Sequence, residues 1–529
     1  MDAWNYNAQA TEHRSAERWE QVIIYAQRAI EVDPMVSWFH FHQGEAYVKL
    51  AQWELGAAAL ERAIDLEPSF AWAHYFLAVT QFALGQDVEA VERSQIALEL
   101  APSEQYLQSY AAYASHLAVQ DQFINQFLTK PRTNRLRLLQ LTPYQTYPPK
   151  QGGITRMFHE MRSLSKHFEV VVVSFLFTES DLAMEKAIAP YCELSLGVMP
   201  ESVEICPENV PATVHQYKSR RMSQILQRLV LADFDIVVID FIYMAQYRSI
   251  FEKSFTVLAE HNIESELLRR CAEVNQGSMQ EALLLAEYEK KYWNQFDLRF
   301  VVSAQDQRII DRTLRDSGNE QSGNGRTIVV SNGIDTRSVQ PLPDHSINRI
   351  IFIGTLNYFP NIDGVTYFIQ QILPLIWQVD PLVEFWVAGA NPVAELVNLV
   401  DSHDRRVRVI ANPEDMTDVA RQCCMSIVPL RAGSGTRIKI IHAMAMGLPI
   451  VSTSLGCEGL EISHNEHLLI ADTPEEFAQA TLLVLQDKVL RDRLRQSARE
   501  RSEERYDWDC IFEEAIGELM NDFEKKTIG

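Results

Sequence analysis

The run PLRAGSGTRIKIIHAMAMGLPIVSTSLGCEG, Pro429 to Gly459, holds a strand end, a glycine-rich turn, a helix, a glycine stop and a second strand, in that order. Gly433 and Gly435, with Ser434 between them, free the backbone to turn tightly and approach a ligand closely. Thr436, Arg437 and Lys439 then open an amphipathic helix expected to reach about Met446. A helix N-terminus carries unpaired N–H groups and a partial positive charge, which suits phosphate. Arg437 and Lys439 add full charge at the same end. Gly447 stops the helix, and Pro449 begins the apolar run PIVSTS. This order predicts one βαβ piece of a Rossmann-like sheet with a diphosphate at the helix start. A plain crossover with a glycine turn has the same spacing, so the rest of the chain decides.

Upstream and downstream the same alternation recurs. LRLLQLT, EVVVVSFL, DIVVIDFI, TVLAEH, LRFVVSA and TIVVSNG read as buried strands over about 135–340. Helical patterns lie between them, including Ile154–His167, Gln216–Ala232 and Glu264–Gln295. RIIFIGTL, VEFWVAGA, VRVIA, MSIVPL, PIVSTS and HLLIAD repeat the pattern over about 347–505. Apolar strands alternating with helices predict parallel sheets covered on both faces. The polar, turn-rich PLPDHSIN, Pro341–Asn348, separates the two sets as a linker.

The N-terminal part repeats instead. Pro34, Pro68 and Pro102 fall 34 residues apart, as do Ala29, Ala63 and Ala97, and Val32, Leu66 and Leu100. Gly44 and Ala78 keep the step. Several residue types in one register predict helix pairs of tetratricopeptide type over about 3–104, with a capping helix at about Glu104–Phe127. Such a stack can dock a protein partner or an acceptor polypeptide. It can equally be a dimerisation arm or a brace.

The expected organisation is therefore an all-α repeat domain followed by two α/β, Rossmann-like parallel-sheet domains. The boundaries are 1–130, 131–340 and 341–505, with a C-terminal helix in 506–529.

Composition narrows the function. The 529 residues carry a formal net charge of −23, which argues against nucleic acid as a general partner. Seven scattered cysteines without a C-x-x-C pair suit a reducing cytosol better than a disulfide framework or zinc site. The polar N-terminus shows no signal peptide, and no apolar run is long enough to cross a membrane. A cytoplasmic location is expected. His215 to Val230, HQYKSRRMSQILQRLV, is a basic amphipathic candidate, read first as a solvated face and second as a peripheral contact with the inner face of a membrane.

Five ordered segments resemble glycosyltransferase family 4, retaining enzymes of the GT-B fold. They are Pro148–Phe175 with its glycine loop, VLAEHNIESELLRR (Val257–Arg270), VVSNGIDTRSVQPLP (Val329–Pro343), FIGTLNYFPNIDGVTYFIQQILPLI (Phe352–Ile376) and the run quoted first. The resemblance covers about 135–505. It implies a nucleotide-diphosphate sugar as donor substrate, no cofactor and no essential metal. It places Gly152, Gly153 and Arg156 near the donor phosphates and sugar, and the C-terminal helix across the N-terminal half. His261, in EHN-x-E, would reach a sugar hydroxyl or a phosphate. Gly433, Ser434, Gly435 and Thr436 would line the diphosphate, and Arg437 and Lys439 would stabilise it as it departs.

Departures from the family are equally specific. The family's two glutamates, eight positions apart, correspond to Ser434 and His442. Imidazole can hydrogen-bond one ribose hydroxyl, whereas a carboxylate can hold two. Thr355 and Asn361 stand about where the family has a diphosphate-binding arginine and lysine. Arg437 and Lys439 can supply that charge, and Glu458 a carboxylate near the nucleotide. Asp233 and Asp235 form a D-F-D that precedes a strand, and so are read as its polar lead and not as a metal site.

The expected activity is sugar transfer to an acceptor hydroxyl of a polysaccharide, glycolipid or polypeptide, with retention. The alternative is a repeat-based scaffold whose transferase module is degenerate and inactive. A GT-B epimerase or phosphorylase shares only the fold.

Overall fold

The 34-residue step governs the first hundred residues of the fold. The computed structural model describes residues 2–149, 152–200, 206–273, 277–316, 325–343, 348–401, 405–432 and 438–528. Within them α1 (Ala3–Ser15), α3 (Ser37–Lys49) and α5 (Ala71–Ala83) alternate with α2 (Trp19–Val32), α4 (Trp53–Leu66) and α6 (Asp87–Leu100). The longer α7 (Gln105–Thr129) follows. Small residues let each pair close. A Cβ on Gly44 would lie 2.7 Å from Leu60 Cγ, and one on Gly56 would lie 2.9 Å from Val48 Cγ2. Ala29, Ala63 and Ala97 are buried.

A tie at each repeat junction accompanies the prolines. His40 Nε2 lies 3.0 Å from the Pro34 carbonyl, and His74 Nε2 lies 3.0 Å from that of Pro68. Gln108 Nε2 donates to Pro102 at 2.7 Å. His40, His74 and Gln108 share the same 34-residue step.

Among the described residues the remaining chain builds two parallel sheets, of seven and six strands. The first contains β1 (Arg137–Thr142), β2 (Glu169–Phe175), β3 (Leu194–Val198), β4 (Ile236–Asp240), β5 (Phe255–Ala259), β6 (Leu298–Val301) and β7 (Arg326–Val329). The second contains β8 (Arg349–Ile353), β9 (Glu384–Gly389), β10 (Val407–Ala411), β11 (Met425–Val428), β12 (Ile450–Ser452) and β13 (Leu469–Ile470). Its order is β10-β9-β8-β11-β12-β13, so the winding direction reverses between β8 and β11. Such a reversal opens a crevice beyond the strand C-termini. Every residue of β1 and β2 is buried, as continuous apolar strands covered on both faces should be.

Three elements differ from the sequence expectation. Leu194–Val198 pairs in parallel with β2 as an edge strand, although Ser195 and Gly197 weaken its apolar run. The helix expected over Gln216–Ala232 begins only at Arg220 and ends at Leu229, because the Ser219 hydroxyl caps Met222 N at 3.0 Å. Glu264–Gln295 is two helices, Glu264–Glu273 and Met279–Trp293, the second capped by Ser278.

Two compact units divide the chain. One comprises Met1–Pro148, His167–Ile239 and Tyr243–Ser254. The other comprises Pro149–Lys166, Asp240–Ile242 and Phe255–Gly529. In the first, the helix Arg220–Leu229 packs on α5 and α7. Its buried Arg221 lies 2.7 Å from Asp87 and 3.6 Å from Asp121. Arg228 pairs with Asp121 and donates to Asn125 at 3.1 Å. Two of the basic side chains of this stretch, read first as a solvated face and second as a membrane contact, thus meet acidic partners on α6 and α7.

In the second unit the C-terminal helix Trp508–Ile528 lies on α8 (Gly152–His167). Asp509 pairs with Lys166 at 3.0 Å and Arg162 at 3.4 Å, and Trp508 stacks on His159. Ile334 N donates to Tyr506, and Trp508 N to Ile334. Among the described residues no helix is long and apolar enough to cross a membrane.

Candidate active site

α8 opens at Gly152, and Gly153 follows in its first turn. A Cβ on Gly152 would lie 3.5 Å from Ile438 Cδ1, the first residue of the helix Ile438–Ala445. The starts of these two helices therefore meet. One turn into α8 stands Arg156, fully buried. Its Nη1 donates to the Ser331 carbonyl at 3.1 Å and to Asn332 Oδ1 at 3.2 Å. Its Nε and Nη2 have no hydrogen-bond partner among the described residues. Unpaired donors on a buried guanidinium are costly, so they mark a place for an anion or a sugar oxygen.

A carboxyl pair lies close by. Glu160 is buried one turn after Arg156, and burial first, then the charge of Asp240, pushes its carboxyl well above the usual range. Asp240 ends β4, and its Oδ1 lies 2.9 Å from His261 Nε2. The His261 ring stacks on Phe241 with centroids 4.0 Å apart and planes at 18°. Phe241 takes a left-handed backbone, φ 62°, which is strained for a bulky residue and places its ring over the imidazole.

Burial, then Arg156, holds the His261 pKa well below its ordinary value, so the ring is neutral. Set against a carboxyl oxygen, Nε2 is the nitrogen placed to donate. Nδ1 is then an acceptor, and it has no partner among the described residues.

The other members of EHN-x-E face elsewhere. Glu260 is buried and accepts from Trp293 Nε1 at 2.6 Å. Burial, then Glu289, raises its pKa well above the usual range. Glu289 accepts from Ser265 N at 3.0 Å and from the Ser265 hydroxyl, and burial pushes it to about 8. Asn262 donates to Glu264 at 3.1 Å. These contacts fasten the end of β5 and the helix after it, while His261 points into the arginine–carboxylate cluster.

On the second sheet, Lys439 donates to Asn361, and its ammonium sits 4.5 Å from the Phe352 ring centroid. Asn361 in turn donates to the Thr355 carbonyl at 2.8 Å. A Cβ on Gly354 would lie 2.8 Å from Asn361 Nδ2 and 3.2 Å from Lys439 Nζ, so glycine makes room for this group. Lys439 thus stands at Thr355 and Asn361, where the resemblance leaves two charges missing.

His442 is half-buried on the same helix, and burial lowers its pKa against the pull of Asp415. The helix stops at Gly447, φ 64°, as its sequence implies. Glu458 accepts from Arg270 Nη1 at 2.6 Å, and Arg270 Nε also donates to Glu266 at 2.8 Å. A ribose hydroxyl reaching Glu458 would share it with Arg270. Gly433, Ser434, Gly435, Thr436 and Arg437 lie outside the described residues.

Sequence reasoning missed Asp240, Glu160 and Asn332. Asp240 ends the run DIVVID, and a carboxylate at the C-terminal end of a buried strand was the available signal. Asp233 and Asp235 lie at the other end of β4. Asp235 pairs with Arg132 and accepts from Arg137 N at 2.8 Å, and Asp233 lies 3.3 Å from Arg132. Among the described residues no group of three or more His, Cys, Asp or Glu side chains could hold a metal ion.

Residues 347–487 match the family described as "Glycosyl transferases group 1". Over 141 residues the chain is 28% identical to an "Uncharacterized 44.6 kDa protein in cps region" of Klebsiella pneumoniae. That match spans 26% of this chain and 36% of the relative's length. Among solved structures, sucrose-phosphate synthase of Thermosynechococcus elongatus aligns over 74% of this chain and 100% of its own, at 15% identity and TM-score 0.56. Anabaena HepE, crystallised with UDP and glucose, aligns over 73% and 100%, at 14% identity and TM-score 0.53. The chain therefore contains a group 1 glycosyltransferase domain at residues 347–487, set in a GT-B fold.

Proposed function

We propose that the protein moves a sugar from a nucleotide-diphosphate donor to an acceptor hydroxyl, with retention of configuration. One observation carries this reading: two helix starts meet at Gly152 and Ile438 beside a buried Arg156 with two unpaired donors. Helix N-termini and fixed cations suit the charge that builds on a departing diphosphate. Lys439 and Arg437 would hold that diphosphate on the 341–505 side. Arg156 would reach its oxygens or the sugar, and His261 Nδ1 would accept from a sugar hydroxyl. His442 would take one ribose hydroxyl. The diphosphate oxygen itself would receive the acceptor proton, so no enzyme nucleophile is required. The acceptor would bind on the 131–340 side.

The test is a panel of nucleotide sugars with release of nucleoside diphosphate as readout, on wild type and Arg156→Met. Release with one donor, lost in the variant, supports the assignment. Equal release by the variant refutes it. Product NMR then reads the anomeric configuration, and inversion would refute retention.

A second reading is a scaffold with an inactive module. It is favoured by the engagement of Lys439 with Asn361 and of Glu458 with Arg270. Donor binding in a thermal-shift assay, with no turnover on any acceptor, would support it.

A further inference from the structure

Glu160 takes no part in the transfer described above, yet it lies one turn after Arg156 in a stretch of α8 whose side chains, Arg156 to Met161, are all buried. A carboxyl group there has given up its water. Burying a carboxylate without partners is unfavourable, and a methionine would fill the same space without that penalty. A buried acid that packing does not require is a candidate for function.

The surroundings of Glu160 fix the form in which it is held. No N–H or hydroxyl among the described residues donates to either of its oxygens. Glu160 is nevertheless hydrogen-bonded, side chain to side chain, with Asp240. Carboxylate oxygens only accept, so such a bond exists only with a proton in it. The two buried carboxyls therefore share a proton, as acids in contact do when both cannot ionise. The charged or titratable groups that face Glu160 are Arg156 on its own helix and Asp240 at the end of β4. Beyond Asp240 stands His261, after β5. The loop after β7 brings Ser331 and Asn332 to Arg156, and the C-terminal helix brings Phe512, none of them ionisable.

That proton sets the charge of the cluster. One guanidinium stands against one negative charge spread over two carboxyls, and the neutral imidazole adds none. With both carboxyls ionised the cluster would be net negative, close to Arg156 and its unpaired donors, and would repel an anion. The proton also tempers Asp240. A carboxyl that already accepts from Glu160 draws a second proton onto His261 less strongly. Phe241 holds the imidazole by its face, Asp240 holds it by Nε2, and Glu160 holds Asp240.

We propose that Glu160 is a positioning residue of the sugar-transfer site: as the acid that hydrogen-bonds Asp240, it fixes that carboxyl against His261 Nε2 and leaves Nδ1 to accept from the donor sugar. Its part in transfer rests on the transferase reading above; the shared proton and the state of His261 do not.

The full-length chain is measured first without ligand. In infrared difference spectra of wild type against Glu160→Gln at neutral pH, the carbonyl stretch of a protonated carboxyl should appear on the wild-type side and shift in heavy water. In proton–carbon correlation spectra of histidine-labelled protein, His261 is identified by its loss in His261→Asn. Its signal should stay fixed between about pH 5 and pH 8, where an ordinary imidazole titrates. Glu160→Met removes the proton donor and leaves Asp240 to carry its charge alone, so His261 should titrate within that range. Glu160→Gln keeps a donor and should hold His261 still. If Glu160→Met does not fold, Glu160→Leu takes its place. Absence of the carboxylic-acid band, or a His261 signal that titrates in wild type, overturns the proposal. So does a His261 signal that stays fixed in the folded methionine or leucine variant, which leaves Glu160 as packing alone.

With an identified donor, Glu160→Met should lower kcat on the order of tenfold, the scale of one lost hydrogen bond, with the donor KM little changed. Glu160→Gln should recover part of that loss. A wild-type kcat in the methionine variant overturns the positioning role. Both spectroscopic results as expected, with no nucleotide sugar bound, sink the transferase reading and leave the proton pair standing. Turnover in wild type without the acid band does the reverse.

Discussion

His261 Nε2 lies 2.9 Å from Asp240 Oδ1, and both side chains are buried at the ends of neighbouring strand segments. The carboxylate fixes which imidazole nitrogen carries the proton. Asp240→Asn can donate as well as accept, so it releases that choice without emptying the space. We expect kcat to fall on the order of 100-fold, with the donor KM little changed. Steady-state kinetics with the identified donor are the check, and a wild-type kcat would remove Asp240 from the site.

Lys439 brings its charge to Asn361, which itself donates to the Thr355 carbonyl. Lys439→Met should weaken nucleoside diphosphate binding by about 10- to 100-fold, the worth of one hydrogen bond to a charged group. Lys439→Arg should recover part of it. Calorimetry with the diphosphate reads this directly, and undiminished affinity in the methionine variant would place the phosphates elsewhere.

Glu289 is held at about 8 by burial, against an unfolded value near 4.3. A raised acid favours the native state fully below about pH 4.3, and its contribution fades as pH rises to 8. Glu289→Gln stays neutral throughout. Its thermal midpoint relative to wild type should therefore climb between pH 5 and pH 8 and then level off. Melting curves across that range test the sign, and a relative midpoint that falls with pH would contradict it.

Arg221 and Asp87 make an ion pair at 2.7 Å between the helix Arg220–Leu229 and the last repeat. Removing one partner leaves a charge with little access to water. Arg221→Met should cost about 3 kcal/mol in chemical denaturation, and the double variant Arg221→Met/Asp87→Leu should recover most of it. If the single variant costs nothing, the pair does not fasten the repeats.

Much of the architecture could be read from periodicity, because burial dictates period. Prolines and alanines keep a 34-residue step, and a small residue follows Gly44 at Ala78, since each repeat meets the next in the same way. The strands of both sheets read as unbroken apolar runs since both faces are covered. Where those rules weaken, the reading failed: Leu194–Val198 is an edge strand, and Ser219 offers a cap inside an otherwise helical pattern. The candidate site was legible only in part. Glycines and basic residues advertise a phosphate locally, whereas Asp240 meets His261 through strand pairing across 21 positions of chain.

The C-terminal helix has a consequence for biosynthesis. Phe512 lies under the Arg156 guanidinium, 5.8 Å from ring centroid to Cζ, and Trp508 covers His159 on the same helix. A ribosome delivers that aromatic backing long after α8 has emerged. The repeats and the first strands can therefore fold on a nascent chain whose guanidinium still lacks its floor. A chain cut before Trp508 would keep its early-folding parts while the buried Arg156 guanidinium and the His159 ring stood without their aromatic cover.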